Sequence, residues 1–151
     1  MKDQHGKIKK LEYNKITDHI YIGTNHCCQD HWSEVLTKEG IEVNLSLEEE
    51  RLDKPFGVKF FIWLPTKDRT PPNHDQLEFG VFSLEKFIAM NKKIYVHCMN
   101  GHTRAPTLVA AYLIKTKNFT VKQANEFIKS KRPSIHIQPS QLKALEEFKK
   151  A

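Results

Sequence analysis

The stretch Lys93-Ile94-Tyr95-Val96-His97-Cys98-Met99-Asn100-Gly101-His102-Thr103-Arg104, continued by Ala105-Pro106-Thr107-Leu108-Val109-Ala110-Ala111-Tyr112-Leu113, decides the fold. Lys93 to Val96 is a short β-rich run. From Arg104 to Thr116 the residues Leu108, Tyr112 and Leu113 recur at helical spacing, so a polar loop joins a strand to a helix. A loop at a helix N-terminus aims backbone N–H groups and the positive end of the helix dipole at one point. That makes an anion cradle, and phosphate is its obvious occupant. The same field favours thiolate over thiol in Cys98, at the base of the cradle. Arg104, at the helix start, carries a planar fork that holds two phosphoryl oxygens together, which a lysine does not. Gly101 lets the backbone turn with its amides inward.

Outward from this loop, short β-rich runs alternate with longer helical periods. His19 to Gly23 reads as a strand ended by glycine, Asp30 to Lys38 as a helix through Trp32, Val35 and Leu36, and Val43–Leu47 and Val58–Trp63 as strands. Leu64 to Pro72 holds three prolines and no periodicity, which predicts a loop. A helix follows from Asp75 to Met90, with Leu77, Val81, Leu84, Phe87 and Ile88 on one stripe. Phe79, Phe82 and Phe87 are assigned to core or helix packing. Thr120 and Gln123 fit a capping box opening a helix through Val121, Ala124, Phe127 and Ile128, and Ser140 is placed as the cap of a last helix carrying Leu142, Leu145 and Phe148. The pattern predicts one three-layer α/β domain, with a central, mostly parallel sheet of about four to five strands flanked by helices.

Composition sets the outer limits. A chain of 151 residues with 39% hydrophobic and 28% charged residues of mixed sign is sized for one folded domain, not for disorder. The apolar run Leu108 to Ile114 is far short of a membrane span, and the N-terminus lacks the apolar core of a secretory signal. Residues 1–10, rich in lysine, read as a flexible basic leader, leaving 11–151 as the domain. Three cysteines make no complete disulfide framework, so a reducing, cytoplasmic setting is expected. The net charge of +6 points to an anionic partner and leaves nucleic acid, lipid headgroups and phosphate open.

His97-Cys98, five residues and then Arg104 resemble the phosphate loop of the cysteine-dependent protein tyrosine phosphatases, and the continuation from Ala105 to Leu113 resembles their dual-specificity branch. The order of elements agrees from about Ile16 to Phe148. The resemblance implies a catalytic domain in which the loop from Cys98 to Arg104 (Met99, Asn100, Gly101, His102 and Thr103 between them) binds phosphate. Cys98 is then the nucleophile and Asp68, thirty residues upstream in the proline-rich loop, the general acid. Asp75 competes for that role, but its place in the first turn of a helix already explains it through the dipole. His97 is expected to orient the loop behind the cysteine. Gln141 is expected to place the attacking water, with Gln138 as the alternative. Neither cofactor nor metal is implied. The implied substrates are phosphotyrosine and phosphoserine or phosphothreonine proteins, met by a monomer, with nucleic acid disfavoured. A phosphoinositide, a glucan phosphate or an RNA 5′ end is the alternative, disfavoured for phosphoinositides because residues 99–103 contain no lysine. A low-turnover module that only binds phosphorylated partners is the third reading.

One departure stands out: most members of the branch carry Ser or Thr after the arginine, where the hydroxyl helps the cysteine leave the phosphoenzyme. This chain has Ala105. The phosphatases of regenerating liver and the plant starch phosphatases resemble it there. His26, Cys27, Cys28 and His31 suggest a metal cluster, although adjacent cysteines lack the Cys-x2–4-Cys spacing of structural zinc sites; a partly buried helix start is the simpler reading. Either Cys27 or Cys28 would protect Cys98 if oxidation joined them.

Overall fold

The computed structural model describes residues 10–151, so the expected leader lies outside the described residues except for exposed Lys10. Five strands form one sheet: β1 (Tyr13–Lys15), β2 (Ile20–Gly23), β3 (Ile41–Glu48), β4 (Phe60–Thr66) and β5 (Lys93–His97). Their order is β1-β2-β5-β3-β4, antiparallel between β1 and β2 and parallel elsewhere. The helices are α1 (Glu34–Lys38), α2 (His74–Ala89), α3 (Arg104–Lys117), α4 (Val121–Lys131) and α5 (Pro139–Lys150).

The two-residue period of β5 sorts the layers. Ile94 and Val96 join the main core with Leu84 of α2, Leu108 of α3, Ile128 of α4 and Leu145 of α5. Tyr95 points to the other face, into a smaller cluster with Tyr21, Cys27, Cys28, Trp32, Leu36 and Ile41. Four helices therefore cover one face, and α1 with the turn before it covers the other. Because β2, β3, β4 and β5 are parallel, their C-terminal ends, Gly23, Glu48, Thr66 and His97, lie at one edge. Ligands of such sheets bind in the loops leaving that edge, and β5 delivers the cysteine loop to its middle. No helix among the described residues is long and apolar enough to cross a membrane.

Several local expectations need correction. β1, three residues long, carried no readable period. The segment before α1 folds as a 3-10 turn at Asn25–Cys27, and α1 starts only after Ser33, whose hydroxyl accepts from the Leu36 amide. β4 runs on through Leu64-Pro65-Thr66, tolerable because it is an edge strand, where a missing donor breaks no ladder bond. Phe79 and Phe82 are exposed, and only Phe87 is core. α5 opens at Gln138 with Pro139 in its first turn, not at Ser140. The Thr120–Gln123 capping box forms as read, and Asn73–Gln76 supplies a second at the start of α2.

Candidate active site

Cys98 leaves the end of β5 only 2% exposed, and the chain turns around it at Gly101, with φ +72°. A Cβ there would meet the Gly23 carbonyl oxygen at 2.6 Å, so only glycine fits. Four consecutive loop carbonyls are bonded to groups outside the loop. Met99 O accepts from the Asn25 amide (3.0 Å), Asn100 O from Arg132 Nη2 (2.8 Å), Gly101 O from Arg132 Nε (3.0 Å) and His102 O from the His136 amide (2.9 Å). With the carbonyls turned outward, the amides between them face in, as an anion cradle requires. Arg132, 2% exposed, binds two of these carbonyls and Asn14 Oδ1 (2.8 Å). Sequence reading missed it, because the end of α4 lies far along the chain from the loop.

Arg104 is almost fully buried, yet its guanidinium is only partly used. Nη1 and Nη2 donate to the two Glu50 carboxylate oxygens at 2.8 and 3.0 Å, and Nη1 also donates to Thr66 O at 2.8 Å. Nε has no hydrogen-bond partner. Five N–H groups less these three leave Nε–H and the second Nη2–H, which share one edge of the plane and make the fork for two phosphoryl oxygens. Burial alone would lower the guanidinium's pKa, but Glu50 and Cys98 hold it above the ordinary value; burial likewise works against the Glu50 carboxylate, and Arg104 nevertheless holds its pKa below the usual range. Glu50 was not foreseen from sequence.

The loop residues Cys98, Met99, Asn100, His102, Thr103 and Arg104 line a cavity of about 180 Å³, completed by Asp68, Arg69 and His136. Asp68 is 55% exposed, with Oδ1 3.5 Å from Arg104 Nε. Asp75 lies elsewhere, in the first turn of α2 and on a different groove with Phe79 and Phe82. Of the two candidate acids, only Asp68 shares a cavity with Cys98. Its loop is tied down on the far side: Gln141 Nε2 donates to Thr70 O (3.0 Å) and Ser140 Oγ to Arg69 O (3.4 Å). Gln141 is fully buried and outside the cavity lining, and its Oε1 accepts from the Gln138 amide (2.8 Å). Gln138 donates through Nε2 to His136 O.

Behind the cysteine, His97 bridges two acceptors, with Nδ1 3.2 Å from Cys98 O and Nε2 2.8 Å from Asp53 Oδ2. Asp53 is buried, which opposes its charge, but His97, Asn44 and Arg51 hold its carboxyl below the usual range. Cys27 and Cys28 are also buried there, their sulfurs in contact with each other, and Cys98 is the free cysteine. The neighbouring pair, not a link to Cys98, is what the structure joins.

The sequence profile described as dual specificity phosphatase, catalytic domain, matches residues 20–151. Among curated proteins, the chain is 43% identical over 88 residues to the Mus musculus phosphatidylglycerophosphatase and protein-tyrosine phosphatase 1, covering 58% of this chain and 46% of that protein. It is 35% identical over 134 residues to the Rattus norvegicus dual specificity protein phosphatase 5, covering 88% of this chain and 33% of that protein. It thus spans less than half the length of these relatives. Among solved structures, PTPMT1 in complex with PI(5)P superposes with a TM-score of 0.79 at 28% identity, covering 91% of this chain and 94% of that one. Human DUSP28 superposes with a TM-score of 0.81 at 16% identity, covering 91% and 93%, a likeness of fold.

Proposed function

Because the chain belongs to the family of dual-specificity phosphatase catalytic domains, we propose that it hydrolyses phosphate monoesters through a phosphocysteine intermediate, chiefly on phosphotyrosine and also on phosphoserine or phosphothreonine of proteins. The observation that carries this reading is the single small cavity shared by Cys98, the open fork of Arg104 and the Asp68 carboxylate. The loop amides and the fork of Arg104 hold the phosphoryl oxygens, so charge that spreads over them in the transition state meets donors already in place. Cys98 thiolate attacks phosphorus, the phosphorus–oxygen bond breaks, and Asp68 gives its proton to the departing oxygen. Asp68, now a carboxylate, takes a proton from a water that attacks the phosphocysteine. The phosphorus–sulfur bond breaks, and thiolate and free phosphate leave. His97 and Arg132 act on the loop and do not touch the phosphate. We also place the chain in a reducing, cytoplasmic setting, which would keep the Cys98 nucleophile reduced.

A phosphorylated lipid is the second reading, supported by the names of the relatives and by PI(5)P in the PTPMT1 complex. In this chain the loop offers one permanent cation, Arg104, with Arg69 and two histidines on the cavity wall, which suits a single phosphate group better than a polyphosphorylated headgroup. The test is phosphate release from p-nitrophenyl phosphate, phosphotyrosine and phosphothreonine peptides, and vesicles carrying phosphatidylglycerophosphate or PI(5)P. The wild type should release phosphate and Cys98→Ser should not. Asp68→Asn should lose roughly 10²- to 10⁴-fold on peptides, the usual worth of a general acid, and Asp75→Asn almost nothing. Faster turnover of vesicles than of every peptide would favour the lipid reading, and no wild-type turnover on any substrate would favour a binding module.

A further inference from the structure

The buried groups behind the phosphate loop make a donor set that touches none of the reacting atoms of the proposed phosphatase chemistry. Cys27 Sγ, Cys28 Sγ, one Asp53 carboxylate oxygen and one His97 ring nitrogen all lie within 4.8 Å of one another, and all four residues are buried. We propose that in the reduced chain these four side chains bind one thiophilic divalent cation of the zinc class.

Two thiolates, an imidazole and a carboxylate are the ligand types that zinc takes in tetrahedral sites. Bonds of ~2.3 Å to sulfur and ~2.0–2.1 Å to nitrogen and oxygen place tetrahedral donors roughly 3.3–3.8 Å apart. Cys28 Sγ already stands 3.8 Å from His97 Nε2. Asp53 Oδ2 and Nε2, now 2.8 Å apart, would separate slightly, and the touching sulfurs would part. Two thiolates and a carboxylate exceed a divalent cation by one negative charge; Arg51, whose Nη2 lies 2.9 Å from Asp53 Oδ1 and 3.8 Å from Cys28 Sγ, reduces that excess while it also pairs with buried Glu48 at 3.5 Å. Asn44 Nδ2 donates to Asp53 Oδ2 at 2.9 Å and fixes the carboxylate, as outer partners of metal ligands do. An open recess lined by His26, Cys27 and Gln29 borders the cluster at Cys27. The four are not the cluster suggested by the sequence: His26 and His31 are not among them, and beside the adjacent cysteines the other two ligands come from the β3–β4 connection and the end of β5.

A cation on His97 Nε2 leaves the ring proton on Nδ1, which then donates to the Cys98 carbonyl 3.2 Å away. The ion would thus brace the first residue of the phosphate loop without touching phosphate. A Cys27–Cys28 disulfide removes both thiolates, so oxidation of the pair and metal binding exclude each other.

The test uses the full chain, reduced until three thiols titrate under denaturing conditions, stripped with chelator and titrated with cobalt(II). The expected result is one cobalt per chain with the intense visible bands of a tetrahedral thiolate site, retained in Cys98→Ser and lost in Cys27→Ser and in Cys28→Ser. Zinc should displace the cobalt and shield Cys27 and Cys28, but not Cys98, from alkylation in the wild type. This footprint decides the matter even where a serine variant does not fold. The proposal is overturned by the absence of bands, by bands that vanish in Cys98→Ser, by unshielded Cys27 and Cys28, or by a Cys27–Cys28 bond that resists reduction. None of these readouts involves turnover, so they stand apart from the phosphatase reading.

Discussion

Ala105 is fully buried directly after the arginine, and it brings no hydroxyl to a position from which, in the proposed mechanism, one would assist the leaving thiolate. A hydrogen bond to a charged group contributes about 1.5–3 kcal/mol, and each 1.36 kcal/mol is about tenfold in rate. Ala105→Ser should therefore speed phosphoenzyme breakdown by at least about tenfold and shrink the pre-steady-state burst. Rapid-quench kinetics reads both, and an unchanged burst and turnover would contradict the role given to this position. The cavity shared by Cys98, Arg104 and Asp68 was legible because a strand, a loop of fixed spacing and a helix sit together in sequence, with Asp68 in the proline-rich loop upstream. Glu50, Asp53 and Arg132 were not. Each looks like an ordinary charge on a polar stretch, and each becomes meaningful only when the fold brings the β3–β4 connection or the end of α4 against the cysteine loop.

At the scale of elements, the packing of α2 on α3 sets how firmly the phosphate loop is backed. Gly80 lets the two helices approach: a Cβ there would meet Leu108 Cδ1 at 2.5 Å, and Leu108 has no exposed surface into which to swing. Overpacking of this kind costs about 1–3 kcal/mol, more than the ~0.5–1 kcal/mol an alanine gains over glycine within a helix. Gly80→Ala should lower the urea midpoint, and an unchanged or higher midpoint would show that the contact yields. The long helices were readable from their stripes and caps, Thr120 with Gln123 above all. Short elements were not: three-residue β1 has too few positions to show a period, and the buried turn at Asn25–Cys27 takes its shape from the sheet face beneath it.

For the whole molecule, the ion pairs around the site link stability to pH. Glu50 is held below its ordinary value when folded. Its contribution is therefore complete above the unfolded value of ~4.3 and is lost as pH falls through the lower folded value. Asp53 is depressed in the same direction and adds to the same acid limb. Glu50→Gln should make that limb shallower without flattening it, as urea midpoints between neutral and acid pH would show, and an unaltered slope would mean that the Glu50–Arg104 pair does not persist in solution. The parallel sheet, with its strand ends gathered at one edge, was foreseeable from alternating strands and helices, whereas the order that puts β5 between β2 and β3 was set by pairings distant in sequence. That central strand delivers Cys98, the proposed nucleophile, to the cavity. The most direct measurement is the mass of the protein quenched during turnover of a phosphotyrosine peptide, followed by peptide mapping. A single added phosphoryl group on Cys98, absent in Cys98→Ser, is the predicted result; turnover with the phosphoryl group on any other residue, or on none while a burst is seen, would contradict it.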